Sequence, residues 1–275
     1  MSATLVLTEK KGVPGAPLLI ADELHRQRTN FLRLLADLDP DEWEAQSRCT
    51  EWSVADVVGH VINGAEFHVA RLTGSAQLAR FRRYGAFDPA TTPGAWLRDS
   101  VRRTPREAIA TLRRLAGAER RHFRIRAEKP ESTLEPGPAG RPLQWSVRSL
   151  HTLWDSWIHE RDVALALGRA PRSPARTLPL TTMYGLLIVG SAAARRGEPL
   201  SATLDLWDSA ASPYEVGVRA DDVFVASGVG MRPQGSGPVA EVLDSAAGRG
   251  ADPRQTLDAP EPVLAALTHF RDLLA

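Results

Sequence analysis

The chain of 275 residues contains a single cysteine, Cys49, so no disulfide can form within it. Nothing in its thiol content calls for an oxidising compartment, and the cytoplasm is the expected location. Lysine is scarce too: only Lys10, Lys11 and Lys129 occur, and the positive charge is otherwise arginine. With a formal net charge of +1, the chain offers no electrostatic reason to bind nucleic acid or an anionic membrane. A run of about 18 apolar residues, the length of a membrane span, is missing. Met1 to Pro17 lacks the apolar stretch and small-residue cleavage site of a secretory signal, so neither secretion nor membrane spanning is expected. There is no repeat of fixed period, and the glycine-rich stretch 228–237 reads as a loop without the Gly-Lys-Ser/Thr ending of a phosphate loop.

What is present is ordinary globular usage, 43% hydrophobic and 24% charged, in a length that suits one large core or a main domain with a smaller companion. Leu24, Phe31, Leu34, Leu35 and Leu38 form a stripe that predicts a first helix from near Pro17 to Leu38. Ser53 reads as the N-cap of a second, running to Leu72 before Gly74. Residues 75–103 hold Gly85, Pro89, Pro93 and Gly94 and predict a long irregular connection. Thr104-Pro-Arg-Glu107 is a capping box with proline at N1, which starts a third helix toward Arg126. A loop is expected over Pro130 to Pro142, and Ser146 as the cap of a fourth helix ending near Gly168.

Four helices so connected predict a bundle. A fifth helix is expected over Leu180 to Arg195. Short strands follow over Ala202 to Trp207, Tyr214 to Arg219 and Asp222 to Ala226, then helices over Pro238 to Ala247 and Pro260 to Leu274. The fold class is therefore mainly α with a small α+β C-terminal domain, divided into residues 18–197 and 198–275.

The fourth helix carries the most informative pair. Asp155 and His159 stand four apart, so carboxylate and imidazole share the face that Leu150, Trp154 and Ile158 bury. Polar groups aimed inward need a partner, and either a divalent metal or a simple Asp–His hydrogen bond serves. His60, in the apolar helix Val54-Ala-Asp-Val-Val-Gly-His, would complete an open three-ligand site. His151, one turn before Asp155, reads as an outer partner, a substrate contact or an exposed edge residue. Asp162 is placed to accept the other imidazole N–H of His159, to orient a metal-bound water, or to stand as a solvated charge at the helix end. Cys49 has no activating base near it in sequence and reads as packing. His25, His68, His122 and His269 read as surface or boundary residues, and Trp43, Trp52, Trp145, Trp154 and Trp157 as core.

The segments Cys49-Thr-Glu-Trp-Ser-Val-Ala-Asp-Val-Val-Gly-His60 and Trp154-Asp-Ser-Trp-Ile-His-Glu-Arg-Asp162 together resemble the mycothiol-dependent maleylpyruvate isomerase family, among the DinB-like metal-binding bundles. The likeness covers most of residues 18–170 and, more weakly, the C-terminal domain. It implies a DinB-like four-helix bundle with a divalent metal, usually zinc, and assigns His60, Asp155 and His159 as ligands. The family pattern has glutamate where Asp155 stands, one methylene longer. Arg249 falls where relatives place a Gly-Arg pair, which makes it, with Asp162, a candidate catalytic residue.

The expected function is a metal-dependent, mycothiol-dependent isomerase or thiol transferase acting on an electrophilic small molecule. Zinc is the expected ion, with nickel or iron compatible with the same donors. The expected partners are a small-molecule substrate and a low-molecular-weight thiol, with the chain a monomer or homodimer. The rival readings are a thiol-independent metalloenzyme of small-molecule biosynthesis and a non-catalytic, metal-stabilised binding protein.

Overall fold

A computed structural model describes residues 5–12, 17–85, 87–129, 134–136, 140–172, 174, 176–219 and 221–274. The fold divides into two compact units: residues 17–130 with 155–174, and residues 1–16 with 131–154 and 175–275.

In the first unit the helix starts follow local chemistry. Helix α1 (Pro17–Ala36) ends just before the short α2 (Pro40–Glu44), which opens on a proline at its first position. Helix α3 (Val54–Thr73) begins at the Ser53 cap, whose hydroxyl accepts the Asp56 N–H at 3.2 Å, while the Asp56 carboxylate accepts the Ser53 N–H at 3.0 Å. It ends at Gly74, left-handed with φ 66°. The connection over 75–103 is more ordered than its breakers suggest. It holds α4 (Leu78–Arg82) and α5 (Thr92–Arg98), and Pro93 sits in the first turn of α5, where its missing N–H costs nothing. Helix α6 (Pro105–Ala127) starts at the expected Thr104/Glu107 capping box and packs on α1 and α3.

The core between these helices holds Phe31, Leu35, Val57, Val61, Leu112 and, from the second half of α7 (Trp145–Ala166), Val163. Among them lies a buried ion pair, Arg28 to Glu119 at 3.1 Å, with His68 Nδ1 3.5 Å from the same carboxylate. Such a pair is tolerated inside because each charge has its counterpart. His68 therefore faces a buried acid, which helical spacing alone did not indicate. Ser146 is the second residue of α7 rather than its cap, since the helix already begins at Trp145.

The second unit is a mixed five-stranded sheet with helices. Strand β1 (Val6–Thr8) pairs with β6 (Asp222–Ser227), β6 with β5 (Tyr214–Arg219), β5 with β4 (Ser201–Trp207), all antiparallel, and β4 with β7 (Gly235–Pro238) in parallel. Strands β2 (Leu134–Pro136) and β3 (Pro142–Gln144) pair antiparallel, β2 within and β3 at the end of the segment 130–142 expected to be loop. Helices α9 (Val239–Ala246), α10 (Pro253–Thr256) and α11 (Glu261–Leu274) complete the unit. Strand β7 lies where a flexible glycine loop was expected, and its glycines explain it. A Cβ on Gly235 would meet the Asp258 carbonyl oxygen at 2.4 Å, and one on Gly237 the Thr256 carbonyl at 2.5 Å, so glycine lets two backbones approach.

Helix α8 (Thr177–Arg195) belongs with the sheet, whereas the sequence reading grouped it with the bundle by ending that domain at residue 197. It is apolar on every side and so has to be covered all round, which β5, β6, α9 and α11 achieve. By length and hydropathy it would span a membrane, yet 89% of its apolar window is buried inside the protein, which makes it a core helix.

Because α3 carries His60, its cap bears directly on the site. Ser53→Ala removes the acceptor for the Asp56 N–H and should cost about 1 kcal/mol. Urea unfolding checks this; an unchanged midpoint would mean that the Asp56 half of the box alone holds the helix start.

Candidate metal centre

Asp155 and His159, one turn apart on α7, meet His60 of α3 within the helical unit. The Asp155 Oδ1 atom is 3.3 Å from His60 Nε2 and 3.5 Å from His159 Nε2, and the two rings meet edge to face at 4.7 Å between centroids. Each of the three offers one donor atom, and these atoms all lie within 4.8 Å of one another. An ion bound tetrahedrally at about 2.0–2.1 Å from nitrogen and oxygen requires its donors about 3.3 Å apart. The Asp155 oxygen keeps that spacing to both imidazoles, so the residues present fit a divalent ion.

The electrostatics point the same way. Burial alone would raise the Asp155 carboxyl, but the charges and hydrogen bonds of His159 and His60 outweigh it and hold the group well below the usual carboxylate range. Burial pulls His159 down, while the Asp155 charge, with hydrogen bonds from Asp155, Asp162 and Cys49, lifts it well above the usual imidazole value. In the absence of a cation, a proton on His159 supplies the positive charge that the buried carboxylates require.

A second cluster lies on the other edge of the same ring. His159 Nδ1 is 3.0 Å from Asp162 Oδ2, and the Cys49 thiol donates to that oxygen at 3.1 Å. Cys49, His159 and Asp162 are all buried and also form a group with metal-binding chemistry. Asp162 is fully buried with its Oδ2 within hydrogen-bond distance of the imidazole, so it is not a solvated charge at the helix end. The turn before α3 is tied down tightly: the Gln46 side-chain amide donates to the carbonyls of Ser47, Cys49 and Trp52, and the Arg48 N–H to the Asp162 carbonyl at 3.2 Å. Trp52, half-buried, lies over the imidazoles with centroids 5.0 Å from His60 and 6.3 Å from His159.

Cys49, read as packing, lies in the apolar core and Trp52 packs against it, but both also adjoin His159, which the sequence reading did not indicate. No linear signal joins Cys49 to Asp162, which lies 113 residues later. His151 falls in the other unit, where its Nδ1 pairs with the Tyr184 hydroxyl at 2.8 Å. Arg249 also lies there; its Nη1 donates to the Ala247 carbonyl at 2.6 Å.

Glu160, beside His159 on α7, accepts from the Gln27 side chain of α1 and from the Arg172 N–H at 3.2 Å. Burial pushes its carboxyl up to about 7 from the ordinary 4.5, despite those two donors. The folded protein therefore binds this proton where the unfolded chain has lost it. The stability present below the lower value should decline as pH rises through about 7, by about 3 kcal/mol. Glu160→Gln should flatten that decline in urea unfolding compared at about pH 5 and about pH 8. Equal slopes in parent and variant would mean that Glu160 ionises as in water.

The family model described as the mycothiol maleylpyruvate isomerase N-terminal domain matches residues 24–164. The fold is similar to the crystal structure of a mycothiol-dependent maleylpyruvate isomerase, with a TM-score of 0.56 and 15% identity over 90% of this chain and 94% of that one. A histidine-to-alanine mutant of that enzyme matches with the same TM-score and coverage at 14% identity. At such identity the likeness concerns the fold. No curated protein matches the sequence. The family match spans more than half of the chain and includes both helices of the donor cluster, and this protein belongs to the mycothiol maleylpyruvate isomerase N-terminal domain family.

Proposed function

We propose that the protein is a metal- and mycothiol-dependent isomerase or thiol transferase, acting in the cytoplasm on an electrophilic small molecule. The reading is carried by the donor set of His60, Asp155 and His159, in which the carboxylate oxygen lies near tetrahedral spacing from each imidazole and all three donors lie within 4.8 Å of one another. Family membership and the mycothiol-dependent isomerase of like fold support the choice of thiol and of isomerisation. These donors suit zinc and accommodate nickel or iron. Bound there, the ion supplies the positive charge that lowers the pKa of a thiol and favours its thiolate.

The protein's own groups arrange that chemistry. The side chains of His60 and Asp155 keep 14% and 19% exposure, which leaves this face of the cluster accessible to a small molecule. The Cys49 and Asp162 edge is sealed and suits support rather than substrate. Asp162, accepting from His159 Nδ1, turns Nε2 toward Asp155 and is a positioning residue. Trp52 shields the imidazoles from water on one side. Arg249 is assigned to an anionic carboxylate of thiol or substrate, and Arg249→Ala should raise KM more than it lowers kcat.

Purified protein should carry about one divalent ion per chain, and His159→Ala close to none. Asp155→Asn keeps the shape but removes the charge, so affinity should fall about 10-fold or more, while Asp155→Glu, the family's residue, should retain the ion. Elemental analysis of the folded variants checks this. Full retention in Asp155→Asn with loss in Asp155→Glu would remove the carboxylate from the donor set.

The thiol is tested on cobalt-substituted protein. Adding mycothiol should produce a sulfur-to-metal charge-transfer band, and binding should release protons and tighten as pH rises. Metal uptake without any such band or calorimetric binding would leave a thiol-independent metalloenzyme; if water were also excluded from the ion, a metal-stabilised binding protein would remain.

A further inference from the structure

The two clusters that share His159 use its nitrogens differently. Nε2 faces Asp155 Oδ1 at 3.5 Å, and Nδ1 faces Asp162 Oδ2 at 3.0 Å. Cys49 Sγ sits 3.1 Å from that same Asp162 oxygen and 3.9 Å from His159 Nδ1. A single carboxylate oxygen, fully buried, thus accepts from an imidazole N–H and a thiol S–H together. A buried carboxylate is stabilised by each donor it gathers. Two donors converging on one oxygen also restrict its rotation more than one would.

Cys49 itself has little freedom. Its N–H donates to Ser47 Oγ at 3.0 Å, and its carbonyl accepts from the Gln46 side chain at 2.7 Å and from the Trp52 N–H at 3.0 Å. With the Arg48 N–H bonded to the Asp162 carbonyl, the turn before α3 is anchored on α7 at both backbone and side chain.

We infer that Cys49 is a positioning residue of the metal centre: its S–H donates to Asp162, sets that carboxylate against His159 Nδ1–H, and so aims His159 Nε2 at the position shared with His60 and Asp155. The Cys49, His159 and Asp162 cluster is then a support for one metal position and not a second one. This inference rests on the metal reading proposed above and adds the residue that regulates how firmly His159 is presented.

The test measures the zinc dissociation constant by chelator competition, alongside thermal unfolding of the metal-free forms, in the full chain. Cys49→Ser keeps an O–H donor, whereas Cys49→Val keeps the bulk without one. Zinc affinity in Cys49→Ser should stay within about 2-fold of the parent and in Cys49→Val fall about 10-fold, the low end for an outer partner of a ligand. In an Asp162→Ala background most of the Cys49→Val loss should disappear, since the thiol acts mainly through that carboxylate. Should Asp162→Ala fail to fold, the serine–valine comparison decides alone. Equal affinities for the serine and valine variants, or additive losses in the folded double mutant, would overturn the inference and leave Cys49 a packing residue. A parent that binds no zinc overturns the metal reading and this inference with it. A parent that binds zinc with additive losses overturns this inference alone.

Discussion

Everything in the helical unit is organised around one carboxylate oxygen held between two imidazoles. Asp155 is part-buried, and a negative charge there is costly without compensation. His60 approaches from α3 and His159 from one turn along α7, each within about hydrogen-bond reach. Two imidazoles and one carboxylate can satisfy each other by taking up a proton, or better by taking up a cation. The charge balance that these three groups need is the same one that a bound cation would supply.

That arrangement is held from behind by a second layer. Asp162 takes the far nitrogen of His159, and the turn from Gln46 to Ser53 brings Cys49 to Asp162 and Trp52 over both rings. Many of the bonds in that turn end on its own carbonyls, so its shape does not depend on the ligand side chains it serves. Next to it, the Gln27 side chain and the Arg172 N–H, both neutral donors, converge on the buried acid Glu160. The contrast is instructive: Asp155 has two imidazoles and is held low, whereas Glu160 has these neutral donors and is pushed up.

Legibility followed the range of the interaction. The N-cap at Ser53 and the capping box at Thr104 need only a few consecutive residues, and both are present as read, with Asp56 completing a box at Ser53 that the sequence reading had not named. Helix α8 was located from sequence, but its packing on the sheet was not legible, since an apolar helix suits a bundle core and a sheet face equally well. Strand β7 was missed because Gly-Ser-Gly-Pro has no strand propensity; it is a strand because it pairs in parallel with β4, and its glycines admit the close segment around Thr256 to Asp258. His151, on nearly the same helical face as Asp155, pairs instead with Tyr184 of α8, which no spacing rule could indicate.

By itself the sequence determined that Asp155 and His159 share a face, that α3 begins at Ser53 with His60 inside it, and that a single thiol is available. Helical periodicity and capping act over one or two turns, and such facts survive in any fold the chain adopts. Only the tertiary structure decided that His60, 95 positions before Asp155, arrives at 3.3 Å, and that Cys49 reaches the oxygen already bonded to His159. The physical reason is that an interaction between distant positions is chosen by how the helices pack around their apolar faces. A hydrogen bond a few ångströms long is the outcome of that packing, and no residue in either segment specifies it alone.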